Sequence, residues 1–168
     1  LGINATVLAI PVSSDGLLDL DFIAQHAGDA LMICTMAVNN ETGVYQDLKA
    51  IEKVIRAHNT EVAWMVDCVQ ALGKTALALS AYTPFIAGGG QESGMRSGTE
   101  NLPGIAGLNK LFCLLLDKTN DTFKSIDVLN GYREQLHQAL VDTFGNITFN
   151  HTFALSVPTT LNFAVDEL

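Results

Sequence analysis

The sequence predicts an α/β fold, with a mainly parallel sheet in a larger N-terminal part and a smaller α+β part after it. Three observations lead there. Residues 31–37 and 62–66 are short, almost wholly apolar runs of strand length, and such runs fit strands covered on both faces, as in parallel sheets. Between them, residues 47–58 repeat apolar positions at helical spacing, and strand, helix and strand in that order give a crossover and parallel pairing. Polar clusters, Asn39-Asn40-Glu41 and Asp67-Cys68-Val69-Gln70, stand at the carboxyl ends of the two runs, where open parallel sheets collect their ligands.

Residues 5–10 form an apolar run stopped by Pro11 and read as a first strand, and Ser13-Ser14-Asp15-Gly16 reads as a turn. Residues 20–27 are weakly helical, with Asp19 or Asp21 as N-cap and Gly28 placed to end the helix. In the helix of residues 47–58, Leu48, Ile51, Val54 and Ile55 share one face while Lys49, Glu52, Lys53 and Arg56 take the other. From Leu102 the character changes. Residues 104–116 predict an apolar-rich helix, and residues 126–144 a second one with Leu129, Tyr132, Leu136 and Leu140 on one face and Gly145 as C-cap. Residues 147–149 and 161–165 read as strands of a smaller unit. The domain boundary is placed near residue 105, giving a partial large domain over 1–105 and a partial small C-terminal domain over 106–168.

Hydrophobic residues make up 48% of the 168 and charged ones 16%, a balance that suits a large core and argues against disorder. The net charge of −9 opposes binding to nucleic acid, which needs a basic surface to neutralise phosphates. Lys and Arg are scattered, so an anionic membrane surface is not an expected partner, and no apolar run approaches the roughly 20 residues of a membrane span. Cys34, Cys68 and Cys113 form no C-x-x-C pair, which fits a reducing cytoplasm better than a disulfide framework or a zinc site. Each sits in an apolar run and is expected to be a small buried residue. The four histidines show no metal-ligand spacing, and no metal site is expected.

An acid at the end of a buried strand is costly unless paired. From spacing alone, Asp67 serves either as a cap of the following turn or as the partner of a protonated pyridine nitrogen, the role an acid plays in pyridoxal-phosphate (PLP) enzymes. Gln70 and Asn40 carry amides suited to the ring oxygen. Residues 88–101 read Gly-Gly-Gly-Gln-Glu-Ser-Gly-Met-Arg-Ser-Gly-Thr-Glu-Asn. Its glycines let backbone approach a ligand or partner chain, and Arg96, Ser97 and Thr99 lead into a helix N-terminus, a combination suited to phosphate.

This string resembles the G-G-G-x-E-x-G-x-R-S-G-T-x-N signature of cysteine desulfurases among the class V aminotransferases. Val38-Asn39-Asn40-Glu41-Thr42-Gly43 is similar to that family's N-N-E-x-G segment. Residues 66–74 resemble its D-x-x-Q-x-x-G-K segment, and Pro158-Thr159-Thr160-Leu161-Asn162 its P-x-T-L-N strand. The four occur in family order. The resemblance implies a PLP-dependent transferase of fold type I and the cofactor pyridoxal 5′-phosphate. Asp67 would meet the pyridine nitrogen, Gln70 and Asn40 the ring oxygen, and Thr99 the phosphate, reached from the neighbouring subunit of a homodimer; Glu41 and Arg96 would support them. It implies L-cysteine as substrate, L-alanine and an enzyme persulfide as products, and a sulfur-acceptor protein as a further partner. Selenocysteine lyase or another class V enzyme is the alternative within the family, and a non-catalytic remnant of the fold the alternative outside it.

The chain also departs from the family pattern. The Schiff-base lysine belongs to an S-x-H-K turn between the Asp/Gln motif and the triple glycine, whereas here Tyr82-Thr83-Pro84-Phe85 runs almost directly from one to the other. Lys74 matches the G-K position instead. The family's N-terminal phosphate loop and ring-stacking histidine would precede Leu1, and its cysteine-bearing loop would follow Leu168. The catalytic residues therefore have no assigned positions in this sequence.

Overall fold

The computed structural model describes residues 5–75, 89–117, 119, 121 and 123–165. The chain divides into two compact units, Leu1–Ala76 with Ile126–Leu168, and Leu77–Ser125. The stretch in which the lysine turn is expected to be missing, residues 76–88, lies outside the described residues.

The first unit begins without the expected strand: residues 5–11 pair with nothing regular, and Val7 is 90% exposed. An apolar run becomes a strand only with a partner edge, and none is present among the described residues. The Ser13–Gly16 turn closes as read, with the Gly16 N–H on the Ser13 carbonyl at 2.9 Å. Helix α1 (Leu20–His26) starts at Asp19, whose carboxylate accepts from the Phe22 N–H. Strand β1 (Met32–Met36), helix α2 (Leu48–His58) and strand β2 (Ala63–Asp67) follow, and β1 pairs with β2 in parallel from Met32↔Ala63 to Met36↔Asp67. Asp47 caps α2 through the Ala50 N–H at 3.0 Å, a contact worth about 1 kcal/mol. Ile23, Ala27, Ile33, Ile51, Ile55 and Val62 form the core between helices and strands, and each buried Ile or Val contributes roughly 1.5–3 kcal/mol.

Cover on both faces of the parallel pair is not what the described residues show. Ile33 and Thr35 of β1 are buried, while Met32 (47% exposed) and Cys34 face out. Alternation replaces uniform burial because α1 and α2 occupy one side only. The cysteines accordingly depart from the expected burial: Cys34 and Cys113 are exposed and Cys68 is half-buried.

Helix α3 (Leu102–Leu116) belongs to the second unit. It starts two residues before the predicted position because Asn101 caps it, accepting from the Gly104 N–H at 3.1 Å. In the first unit, helix α4 (Ile126–Thr143) leads to strands β3 (Ile147–Phe149) and β4 (Phe163–Val165), paired antiparallel. The α4 period is as read, but the face it lines up is not the buried one. Tyr132 (55% exposed) and Leu136 face out, whereas Arg133 is buried and Asn130, His137 and Leu140 flank it on the inner side. Phe149 and Phe153 stack on His137, and the Arg133 guanidinium sits 4.5 Å over the Phe153 ring. These contacts outweigh the gain from burying Tyr132 and Leu136. Gly145 keeps out of the left-handed region, so the C-cap geometry expected of it does not form.

Candidate functional site

The carboxyl ends of β1 and β2 carry two of the motifs, and the backbone joins them: the Ala37 N–H donates to the Asp67 carbonyl at 2.8 Å. Beyond that bond the chain turns through residues 39–43. Asn39 shapes the turn itself. Its side-chain oxygen accepts from the N–H groups of Glu41 and Thr42, both at 2.9 Å, and from the Thr42 hydroxyl at 3.2 Å, the local hydrogen bonding that makes asparagine a turn former. Asn40 is left exposed, with one amide hydrogen on Glu41 Oε1 at 2.7 Å. The two asparagines of this motif thus divide the work: one builds the turn and the other is presented by it.

Asp67 ends β2 half-buried. Its Oδ1 accepts from the Val69 N–H at 2.9 Å, and Oδ2 has no partner among the described residues. The capping role and a free oxygen for a ligand therefore coexist in one carboxylate. Residues 68–75 form a turn in which Gly73 takes φ +76°. Lys74 Nζ donates to Gln70 Oε1 at 2.6 Å, which leaves both amide hydrogens of Gln70 available as donors. A carboxylate for a protonated ring nitrogen, and two amides for an anionic ring oxygen, suit the polar rim of a pyridoxal ring. Next to this acid, burial and then the Asp67 charge push the Cys68 thiol above its ordinary value, so Cys68 is no ready thiolate.

The Asn39–Gly43 turn is fastened from far along the chain. Asn162 Nδ2 donates to the Glu41 carbonyl at 3.1 Å, and the Val157 N–H to the Gly43 carbonyl at 2.9 Å. The Tyr45 N–H bonds the Leu155 carbonyl at 2.8 Å, and Val44 bridges Ser156. Gly43 takes φ +74°, and a Cβ there would come within 2.7 Å of Thr160 Cβ and 3.1 Å of Val157 Cγ2. The first and fourth motifs are thus halves of one packed joint, which accounts for the glycine in one and the Thr160 and Asn162 of the other.

Thr99 belongs to the second unit. Within that unit the glycine loop braces itself: Ser97, buried, donates to the Gly89 carbonyl at 2.9 Å, and Arg96 Nη1 donates to the carbonyls of Gly98 and Thr99 at 2.9 and 2.8 Å. Ser97 is therefore engaged inside the loop and Arg96 braces it through Nη1 alone, while the hydroxyl of the exposed Thr99 has no partner among the described residues. Glu92 and Ser93 hold φ 51° and 56°, a left-handed conformation that costs a residue with Cβ roughly 1–2 kcal/mol.

The hydropathy pattern passed over Arg133. Its Nη1 donates to Ser156 O (3.1 Å), Ser156 Oγ (2.9 Å) and Val157 O (3.2 Å), and its Nη2 to Asn130 Oδ1 and Phe153 O, both 3.2 Å. Burial lowers the guanidinium from its ordinary value, and Tyr45 and Glu134 oppose the shift. A cavity of ≈ 380 Å³ opens here, lined by Arg133, Tyr45, Asn130 and Phe153 among others, and by none of Asn40, Asp67, Gln70 or Thr99. The polar stripe of Asn130, Arg133 and His137 at helical spacing was the sequence signal.

The family model for aminotransferase class-V matches residues 2–93, more than half of the chain. A cysteine desulfurase IscS of Mannheimia succiniciproducens is 30% identical over 201 aligned residues, covering 99% of this chain and 48% of that protein. A cysteine desulfurase of Nostoc is 30% identical, covering 94% of this chain and 46% of its own length. A solved "NIFS-LIKE PROTEIN" superposes with TM-score 0.72 at 25% identity, covering 96% of this chain and 51% of that one. The chain spans about half the length of the curated relatives it matches. The 201-residue alignment exceeds the 168 residues of the chain, so the relative carries additional residues inside the matched span. With its parallel pair, its motifs in order and this match across the N-terminal half, the chain belongs to the class V aminotransferase family.

Proposed function

We propose that the chain supplies part of the pyridoxal 5′-phosphate site of a cysteine desulfurase, an enzyme that takes sulfur from L-cysteine and leaves L-alanine and an enzyme persulfide. The observation that carries the reading is Asp67, half-buried at the end of β2, with one oxygen engaged by its own turn and the other without a partner among the described residues. When bound, the cofactor supplies a ring that withdraws electrons from the substrate α-carbon. Asp67 keeps a proton on the ring nitrogen so that this withdrawal stays strong. Gln70 and Asn40 would donate to the ring oxygen and help hold the ring. Thr99 donates its hydroxyl to the phosphate, across the interface of a homodimer.

The lysine that holds the cofactor aldehyde and the cysteine that accepts sulfur have no assigned positions among the motifs of this chain, and the whole activity is proposed for the parent protein. Residues 1–105 belong to its large domain and 106–168 to its small one. A cytoplasmic setting and a sulfur-acceptor partner complete the reading.

Pyridoxamine 5′-phosphate tests the site, because it lacks the aldehyde and reports contacts other than a lysine adduct. The protein should bind it in a calorimetric titration. Asp67→Asn, which removes a charge-assisted hydrogen bond worth about 1.5–3 kcal/mol, should weaken binding roughly 10- to 100-fold. Equal affinity in the two proteins, or no binding by either, rejects the reading. Release of L-alanine from L-cysteine by the parent protein tests the chemistry.

A further inference from the structure

We propose that Arg133 is a positioning residue for Asn40, acting through two intervening layers of backbone. The inference rests on the cofactor reading above and adds to it a residue that none of the four motifs contains. Arg133 is 9% exposed, and a cation is not buried without compensation. Its compensation is unusual: all five hydrogen bonds go to neutral oxygens, three of them the carbonyls of Phe153, Ser156 and Val157. The guanidinium is a clamp on one loop, and its planar fork is what allows a single side chain to reach that many acceptors.

That loop in turn carries the Asn40 turn. Val157 donates to the Gly43 carbonyl, Leu155 accepts from the Tyr45 N–H, and Ser156 bridges Val44. Asn40 stands three residues before Gly43 in the same turn, and the Gly43 N–H closes it on the Asn39 carbonyl at 2.9 Å. The far side of the turn has a separate brace, Asn162 on the Glu41 carbonyl. Removing Arg133 therefore loosens the loop that fastens one side of the turn and leaves the Asn162 brace and the turn's own Asn39 hydrogen bonds in place, so the turn persists but its tip loses its set position. The group that depends on that position is the exposed amide of Asn40.

A double-mutant cycle on pyridoxamine 5′-phosphate binding decides the matter. Arg133→Ala should weaken binding about ten-fold, the loss typical when the partner that orients a ligating group is removed. In an Asn40→Ala background the same substitution should change affinity little, because the contact it positions is already gone. Circular dichroism and the melting temperature of each variant confirm that folded protein is compared. A folded Arg133→Ala with unchanged affinity overturns the inference, as does an equal loss with and without Asn40. If Arg133→Ala does not fold, Arg133→Lys, which keeps the charge but reaches fewer acceptors, goes through the same cycle with the same criteria. Absence of binding by the unsubstituted protein sinks the cofactor reading itself and is seen before any variant is made.

Discussion

Gly43→Ala is the substitution for which the structure gives the sharpest number. At φ +74° a side chain costs roughly 1–2 kcal/mol relative to glycine. The new Cβ would also stand 2.7 Å from Thr160 Cβ and 3.1 Å from Val157 Cγ2, where carbon atoms prefer about 3.5–4.0 Å. Val157 is fully buried with its N–H bonded to the Gly43 carbonyl, and the half-buried Thr160 bonds the Val157 carbonyl through its own N–H. Overpacking of such a joint costs about 1–3 kcal/mol, so the variant should lose about 2–5 kcal/mol, a large share of the roughly 5–15 kcal/mol of a folded domain. Urea denaturation followed through Trp64, the only tryptophan, measures it; the indole N–H donates to the Thr35 hydroxyl at 3.0 Å, so its emission reports an intact first unit. Thr160→Gly added to Gly43→Ala should recover part of the steric share, which is about 1–3 kcal/mol, and leave the Val157 contact and the backbone share. A Gly43→Ala protein with the urea midpoint of the parent would show that the two motifs are not packed as described.

Two further outcomes follow from the core and from titration. Ile55→Ala empties the centre of the α1–α2–sheet core, where Ile55 is fully buried, and should cost about 2–5 kcal/mol in the same urea assay; a loss under 1 kcal/mol would contradict that packing. Burial, then the Arg133 charge, hold the His151 imidazole below its ordinary value, and His137 adds to the shift. Between that lowered value and about 6.5 the unfolded chain binds a proton that the folded chain refuses, so stability is complete above about pH 6.5 and declines as pH falls below it. Urea midpoints at about pH 7.5 and about pH 5.5, on either side of the ordinary imidazole value, should differ less in His151→Gln than in the parent, and an equal difference refutes the assignment.

The elements that proved legible were those decided locally. Asp19 and Asp47 mark helix starts through hydrogen bonds to residues three positions on, and β1, α2 and β2 follow from one uninterrupted stretch of pattern. What lay hidden depends on partners distant in sequence. Residues 5–10 have strand composition, yet a strand exists only where another edge accepts its hydrogen bonds. The buried face of α4 escaped the reading because hydropathy cannot register that Arg133 finds five acceptors and an aromatic face, all but the Asn130 amide lying 20 to 24 residues downstream. The motifs singled out Asn40, Asp67, Gln70 and Thr99 but gave no account of Gly43 or Asn162. Their purpose is visible only in the joint that brings them together.

That joint has a consequence for synthesis on the ribosome. Asn39 and Gly43 emerge early, but the backbone and side chains that fasten their turn, from Leu155 to Asn162, leave the tunnel more than a hundred residues later. At about 5–20 residues per second the delay is roughly 6–24 s. During that interval the nascent chain can pair β1 with β2 and bury Ile51 and Ile55, yet its Asn39–Gly43 turn is still unfastened. The Asn39–Gly43 turn is therefore completed only when the segment from Leu155 to Asn162 has docked on it.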